Sequence, residues 1–370
     1  MNILVTGGAG FIGSHTVDRL IEKGHNVRIL DNLQKPVHLK GMPSYINKEA
    51  DFLLGDVRDK QTLEKALEGM DVVYHFAAYQ DYLTDFSTYF HVNSVGTALI
   101  YEIIVAKRLP VKKVIVASSQ AVLGEGLYRC KRHGEVLPDI RIEEQLSRGD
   151  WEHHCPYCGE YMEYQQTPES KVNPQNQYAM SKYSQEMIAI NLGKRYKIPS
   201  VALRYSIVQG PRQSFYNAYS GAMRIFCLNL YFNKQPIIYE DGKQVRDFIN
   251  YQDVVDANIN VLEDERADYQ CFNVGGGKPC TVIEFYKKVQ EVTGRDIEPI
   301  ISRYYRYGDT RHIFSDITKL RSLGWSPKIT VDESIRQYWE YLNKQTDIED
   351  ILGYAEKTMM TQGVVRSVKT

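Results

Sequence analysis

Tyr178 and Lys182, in the run Y-A-M-S-K, stand downstream of a glycine-rich opening, T-G-G-A-G-F-I-G, that begins at Thr6. A phenol in water titrates near pH ~10, too high for a base at neutral pH. An ammonium four residues further on lies one helical turn away on the same face, and its charge favours the phenolate. A phenol tuned in this way can take a proton from a hydroxyl and return it. Beside a dinucleotide, whose phosphates a glycine turn can cradle, that proton transfer couples to a hydride transfer. Either half alone says little, because Y-x-x-x-K arises by chance and most glycine turns only turn. Together they define a chemistry.

The elements that must position these groups are legible in the hydrophobic pattern. Residues 2–6 are a short apolar run, Phe11 to Lys23 carries helical periodicity up to Gly24, and Val27 to Leu30 is a second apolar run ending at Asp31. Strand, glycine turn, helix and strand make a right-handed βαβ unit. Segments 51–56, 71–76 and 113–119 read as further parallel strands, Tyr178 to Arg195 as a long helix, and 200–205 as the strand after it. The fold class is therefore α/β, a doubly wound parallel sheet of the Rossmann type over residues 1–210.

Beyond Gly210 the elements shorten: a helix near 219–231, small strands near 237–239 and 246–250, then helices at 252–263, 281–293 and 331–343. Ligands of open α/β sheets bind at the carboxyl ends of the strands, so residues 211–345 are expected to form a smaller α/β substrate lobe, mixed with returning elements of the sheet. Residues 346–370 end in the polar run T-Q-G-V-V-R-S-V-K-T and read as a mobile tail.

Composition sets bounds. The 370 residues carry 45 basic and 46 acidic side chains, a net charge of −1, with no basic run or face, which argues against a nucleic-acid partner. The opening residues already form a strand, leaving no room for a signal peptide. No apolar stretch approaches the ~20 residues of a membrane span, so a soluble, cytoplasmic protein without a membrane partner is expected. Six cysteines in such a chain direct attention to metal or redox chemistry rather than to a disulfide framework.

Gly7, Gly10 and Gly13 allow a tight bend, close backbone approach to a pyrophosphate and close packing of helix on sheet. The helix N-terminus then offers unpaired N–H groups and a positive dipole end to the phosphates. Asp31, 18 residues after Gly13, can accept hydrogen bonds from the adenosine ribose hydroxyls and would repel a 2′-phosphate, which favours NAD over NADP. Asp56 and Val57 fit the edge of an adenine pocket, the alternative for Asp56 being a strand-end turn residue.

From Met1 to about Leu342 the chain resembles the extended short-chain dehydrogenase/reductases, in their nucleotide-sugar epimerase and dehydratase group. The resemblance rests on T-G-G-A-G-F-I-G, G-D-V-R (55–58), H-F-A-A (75–78), N-S-V-G-T (93–97), S-S-Q-A-V-L-G (118–124), Y-A-M-S-K, Q-V-R-D-F-I (244–249) and N-V-G-G-G (273–277). It implies that Tyr178 is the acid/base, that Lys182 holds the nicotinamide ribose and lowers the tyrosine pKa, and that Ser119, five residues before Gly124, polarises the sugar hydroxyl. It also carries cofactor contact to Phe11, Ile12, Asn32, Phe76, Ala77, Ala78, Asn93, Tyr205 and Val208.

Where the group's dehydratases place Asp and Glu after that serine, this chain has Gln120 and Ala121, which exchange no proton at neutral pH. Elimination then has no agent, and a 4-epimerisation through a 4-keto sugar, with NAD held throughout, is what remains. Gln120 falls at the substrate. Arg246, Arg306 with Asp309, and Arg212 are the candidates for holding the substrate's nucleotide diphosphate. The sixth strand departs from the group's R-Y-F-N, reading Arg204-Tyr205-Ser206. A 4-ketosugar reductase, another epimerase or dehydratase of the group, and a non-catalytic NAD sensor remain as alternatives, and relatives commonly pair as homodimers.

The 59 residues from Ser119 to Tyr178 exceed what simple members of the group need, so an insert spans about 125–172. It holds Cys130 and His133 in C-K-R-H and Cys155 and Cys158 in C-P-Y-C, with 21 residues between the pairs. Two knuckles at this separation are the pattern of a zinc ribbon, each wrapping one side of a structural ion. His153 or His154 could replace His133, and C-P-Y-C is also a thiol–disulfide motif, though without the strand-to-helix setting that chemistry uses. Cys227, Cys271 and Cys280 sit in apolar surroundings and read as core. A zinc-stiffened lid over the sugar pocket is the expected role of the insert.

Overall fold

Alternate residues of the buried strands feed opposite cores, and this sets the architecture. The computed structural model describes the chain except residues 82, 217–220, 347, 351 and 370. Seven parallel strands, β1 (Asn2–Thr6), β2 (Asn26–Asp31), β3 (Asp51–Leu54), β4 (Val72–His75), β5 (Lys113–Ser119), β6 (Ser200–Tyr205) and β7 (Gln270–Val274), lie in the order β7-β6-β5-β4-β1-β2-β3. Ile3, Val5 and Ile115 enter one apolar core, with Val17 of helix α1 (Phe11–Glu22) and Val254 of a helix at Tyr251–Glu263. Leu4, Val114 and Val116 enter the other, with Ile100 and Ala189. Residues two apart share a face, so helices on both faces require unbroken apolar strands. The strand order reverses between β1 and β4, which opens a crevice at their carboxyl ends.

The expected elements are present with small shifts at their ends. The helix expected near 219–231 is described from Ala222 to Tyr231, its first two residues lying outside the described residues. The C-terminal lobe is built on the strand Val245–Asn250, parallel to Ile207–Gln209 and antiparallel to Pro279–Thr281. The insert forms its own small antiparallel sheet from Tyr128–Cys130, Gly134–Val136 and Glu163–Tyr164.

Two expectations fail. The helical run Phe86–Lys107, 22 residues, is long and apolar enough by length and composition to cross a bilayer, although the sequence reading found no such stretch. It is about half buried: beyond a π-helical turn at Phe90–Val95 it packs beside the long helix Gln177–Tyr196, with Ile100, Ile103 and Ile104 in the core. The second correction concerns 346–370, expected to be mobile. Leu352–Thr361 is a helix, and Val365–Ser367 pairs antiparallel with Tyr304–Arg306. Met359 and Val365 are buried, Arg366 lies over the Tyr307 ring and pairs with Glu143, and the Lys369 amide donates to the Ser147 carbonyl at 2.9 Å. The overall polarity of the segment hid the alternation V-R-S-V that docks it.

Deleting residues 346–370 removes this strap. Losing two buried apolar side chains at about 1.5–3 kcal/mol each should lower Tm by about 4–8 °C. Calorimetry on the shortened chain checks this, and an unchanged Tm would show that the strap does not dock in solution.

Candidate active site

Helix α2, as Gln177–Tyr196 is called from here, begins where Asn176 accepts the Ala179 amide at 2.8 Å, which sets Tyr178 in its first turn. Ser119, the last residue of β5, faces Tyr178 closely enough to favour its phenolate against burial. Ser119 Oγ also accepts the Ala121 amide at 3.1 Å and so caps the short turn Gln120–Leu123. One turn on, Lys182 Nζ donates to the Ala117 carbonyl at 2.6 Å and to Gln185 Oε1 at 2.8 Å. The three residues expected to carry the chemistry thus meet where α2 crosses the end of β5.

The electrostatics differ from expectation in one respect. Tyr178 is only 8% exposed, and burial pushes its phenol up to about 12, with Ser119 opposing. Burial also draws Lys182 down to about 7, with the Glu186 carboxylate opposing. Desolvation disfavours both charged forms, and the lysine is committed to a β5 carbonyl rather than to the phenol. The downward shift of the tyrosine that the pair was expected to produce is therefore not present in this structure.

Behind the pair lies a buried ion pair that the sequence reading did not single out. Arg204 meets both carboxylate oxygens of Glu186 at 2.8 Å, and the Ser118 hydroxyl donates to the same carboxylate. Spacing within one element gives no signal for it, because Glu186 is on α2 and Arg204 on β6.

The dinucleotide crevice has the expected shape. Gly7 has φ +70°, and a Cβ there would lie 2.6 Å from the Ala77 amide nitrogen; a Cβ on Gly13 would lie 2.1 Å from the Gly7 carbonyl oxygen. Helix α1 opens after Gly10 without a side-chain cap, so Phe11, Ile12 and Gly13 present a helix N-terminus suited to an anion. At the end of β2, Asp31 accepts the Ala9 amide at 3.0 Å and the Leu33 amide at 2.9 Å. Asn32 bonds Asp56 at 2.9 Å, Val57 packs where Gly96 leaves room, Phe76 faces the Tyr205 ring, and Ala77, before Ala78, bonds Thr6 Oγ1 at 3.2 Å.

Several expected contacts are engaged elsewhere. The Asn93 side chain is used on both backbone groups of Tyr79 and on Ser181 Oγ, so it fixes the loop after β4 to α2. Asp56 is chelated by Arg58 at 2.7 and 2.9 Å; this side-chain bond, against partial burial, holds its carboxyl at about 2, which favours the turn reading. The Tyr205 hydroxyl donates to Asn258 at 2.7 Å, and Val208 packs on the core. Arg212 pairs with Asp18 of α1 at 2.7 Å and stacks over Tyr45, whose hydroxyl donates to the Ala9 carbonyl. It braces the cofactor side and is not placed as a diphosphate ligand.

Of the remaining substrate candidates, Arg246 and Asp309 meet at 3.3 Å, and Arg306, three residues before Asp309, stacks over Tyr239. Next to Arg246, Asp247 accepts the Ser206 hydroxyl at 2.8 Å, and Ser206 follows Tyr205, the β6 partner of Ser119. This links the diphosphate candidate to the catalytic strand. Gln120 Oε1 is buried without a hydrogen-bond partner beside Ser119.

The insert brings Cys130, His133, Cys155 and Cys158 together, their donor atoms all within 4.8 Å of one another. Cys130 Sγ lies 3.7 Å from Cys158 Sγ and 3.6 Å from His133 Nδ1, and Cys155 Sγ lies 3.4 Å from the same nitrogen. Tetrahedral bonds of about 2.3 Å to sulfur and 2.0 Å to nitrogen require edges of ~3.5–3.8 Å. The donor set fits a zinc ion, and all four cysteine and histidine positions match the expected knuckles. His153 is taken by Glu125 at 2.9 Å and His154 by Asp150 at 2.7 Å, so neither replaces His133.

A model of the NAD dependent epimerase/dehydratase family matches residues 3–275. The chain belongs to this family. It is 29% identical to a dTDP-L-rhamnose 4-epimerase of Burkholderia thailandensis, over 93% of this chain and 96% of the relative. A crystal structure of a UDP-glucose 4-epimerase with UDP-glucose from Thermotoga maritima superposes with a TM-score of 0.76 at 31% identity, covering 93% of this chain and 99% of that one. A UDP-glucose 4-epimerase complex with NAD from Thermus thermophilus gives 0.73 at 27% identity, covering 94% and 100%.

Within this epimerase/dehydratase frame the placement of Arg212 has a consequence. Arg212→Ala should leave KM for a nucleotide sugar within about twofold while weakening retention of the dinucleotide, because its bonds go to α1 and to the loop bearing Tyr45. Steady-state kinetics and the nucleotide content of the purified protein measure both; a large rise in KM with unchanged content would return Arg212 to the diphosphate.

Proposed function

We propose that the protein is an NAD-dependent nucleotide-sugar 4-epimerase working through a transient 4-keto sugar, with dTDP-L-rhamnose as the first substrate to test. The observation that carries the reading is the meeting of Ser119 and Tyr178 at the end of β5, followed by two residues, Gln120 and Ala121, that cannot exchange protons. When bound, NAD supplies reversible acceptance of the C4 hydride. The residues supply the rest. Ser119 orients the C4 hydroxyl, and Tyr178 as phenolate takes its proton. Lys182, one helical turn from Tyr178, would hold the ribose of a bound NAD and, when protonated, would favour that phenolate. Arg246 holds the diphosphate while the 4-keto sugar turns to offer its other face for return of the hydride, and Tyr178 gives the proton back to the C4 oxygen. No second acid or base stands in the Ser119 turn to drive loss of water.

The specific sugar rests on the Burkholderia relative and on the shared coverage of nearly the whole chain. The Cys130–His133–Cys155–Cys158 set is proposed as a structural zinc site: four protein donors close the coordination and leave no position for a reacting water. A homodimer is also proposed, through the flank of α2 where Met180 and Met187 are 43% and 50% exposed around a hollow reaching Tyr183 and Leu192. A reductase reading consumes reduced cofactor each turnover, and a sensor has no use for a buried phenol facing a catalytic serine.

Incubated without added nicotinamide, the purified enzyme should interconvert C4 epimers of one member of a nucleotide-sugar panel, detected by product separation. Tyr178→Phe should lower kcat by at least about 10³-fold with bound NAD retained, because proton transfer at the hydroxyl is lost. A strict requirement for added NADH would convert the assignment to a reductase, and an unchanged rate in the variant would remove Tyr178 from the chemistry. Mass spectrometry should find one zinc per chain, and Cys155→Ser should lose the metal and lower Tm. Full metal content in that variant would exclude the proposed ligand set.

A further inference from the structure

The insert does not simply overhang the sugar. Its residues reach through a buried charge network to the arm that holds the diphosphate. Arg141 is 1% exposed and meets both oxygens of Glu240 at 2.9 and 3.0 Å. The same guanidinium donates to the Trp151 carbonyl at 2.9 Å and to the Asp309 carbonyl at 2.8 Å. Glu125, also buried, accepts the Arg311 amide at 3.0 Å. Glu152 accepts from the Arg311 guanidinium and lies 2.9 Å from His312 Nε2, while His312 Nδ1 accepts the Val245 amide at 3.1 Å. Glu125, Arg141 and Glu152 are insert residues; 309–312 and Val245 belong to the substrate lobe.

Arg246 is where these bonds converge. Its guanidinium donates to the Arg311 carbonyl at 3.1 Å, to the Val245 carbonyl at 3.0 Å and to the Asp309 carboxylate at 3.3 Å. The two residues outside its own strand that steer it, Asp309 and Arg311, are themselves held by Arg141 and Glu125. A partly buried guanidinium held by three such bonds is fixed in direction as well as in charge.

We propose that Arg141 and Glu125 are positioning residues for recognition of the nucleoside diphosphate, acting through segment 309–312 on Arg246, so that the insert serves as a buttress for the diphosphate arm. The inference rests on the epimerase reading and on Arg246 as a diphosphate ligand. It predicts a defect in binding, not in proton or hydride transfer. Neither residue touches Ser119, Tyr178 or the glycine turn.

The test uses the full chain and compares Arg141→Ala, Arg141→Lys, Glu125→Gln, Arg246→Ala and the Arg141→Ala/Arg246→Ala double variant. Titration calorimetry with UDP and dTDP gives Kd, steady-state kinetics gives KM and kcat, and bound NAD is assayed in parallel. Arg141→Ala should raise Kd and KM by roughly tenfold with kcat within about twofold and NAD content unchanged, since small displacements of a positioning group weaken binding geometry. Arg141→Lys should recover part of the loss, and Glu125→Gln, which keeps its shape, should raise Kd by about threefold, less than full truncation of a charged hydrogen-bond partner. Because Arg141 works through Arg246, the double variant should bind no more weakly than Arg246→Ala alone, a non-additivity that a general loss of stability would not produce. Wild-type Kd in both Arg141→Ala and Glu125→Gln, or full additivity in the double variant, overturns the proposal. Wild-type Kd in Arg246→Ala overturns the diphosphate assignment beneath it, a distinct result.

Discussion

Helix α2 is pinned to the middle of the sheet by polar contacts in a setting that excludes water, and the rest of the site depends on this register. Along one buried face, Tyr178 meets Ser119, Lys182 meets the Ala117 carbonyl, and Glu186 meets Ser118 and Arg204. The contacts follow helical spacing of about four residues along α2, taken up by consecutive residues at the end of β5. Slipping the helix by one residue would break all of them and leave buried charges unpartnered, at a cost of several kcal/mol. The register that places the phenol at the end of β5 is thus enforced by groups that need not touch a substrate.

The same burial sets the chemical problem of the site. A phenol raised to about 12 and an ammonium lowered to about 7 are both held in their neutral directions by desolvation. A charge brought close to the phenol is therefore felt through little intervening water, and its effect on the phenolate is correspondingly large. Glu186 acts in the opposite sense on Lys182, favouring the ammonium, while Arg204 balances Glu186 in turn. The proton affinity of the phenol is consequently set by burial, by Ser119 and by what binds in the crevice.

The parts of this arrangement that repeat at fixed spacing were readable from the residues. Strands β5 and β6 run over Lys113–Ser119 and Ser200–Tyr205, the spans their apolar runs suggest, and the glycine turn and the Cys/His knuckles assemble as their spacing requires. The parts that depend on partners far apart in the chain were not. Asn93 looked like a cofactor contact, yet its amide is consumed by Tyr79 and Ser181, 88 residues away. Arg212 looked like a diphosphate ligand because it is cationic and follows the sheet, but its partner is Asp18, 194 residues earlier. Nothing local distinguishes a cation that meets substrate from one that meets a helix.

The insert and the C-terminal strap show how such long-range partners can change the meaning of a segment. Read alone, 125–172 is a metal knuckle and 346–370 a polar end. In the fold, the strap pairs with Tyr304–Arg306 and reaches the insert at Glu143 and Ser147, while the insert reaches 309–312 through Arg141 and Glu125. Both additions therefore close on the same segment, 304–312. Without them the strand and turn carrying Arg306 and Asp309 would be a surface excursion lacking these backbone partners, and such segments are mobile. Two independent sets of hydrogen bonds reduce the conformations open to it before any ligand arrives. Ordering done during folding need not be repeated on binding, and this is the physical sense in which a metal-bearing insert remote from the reacting carbon can bear on which diphosphate ester is accepted.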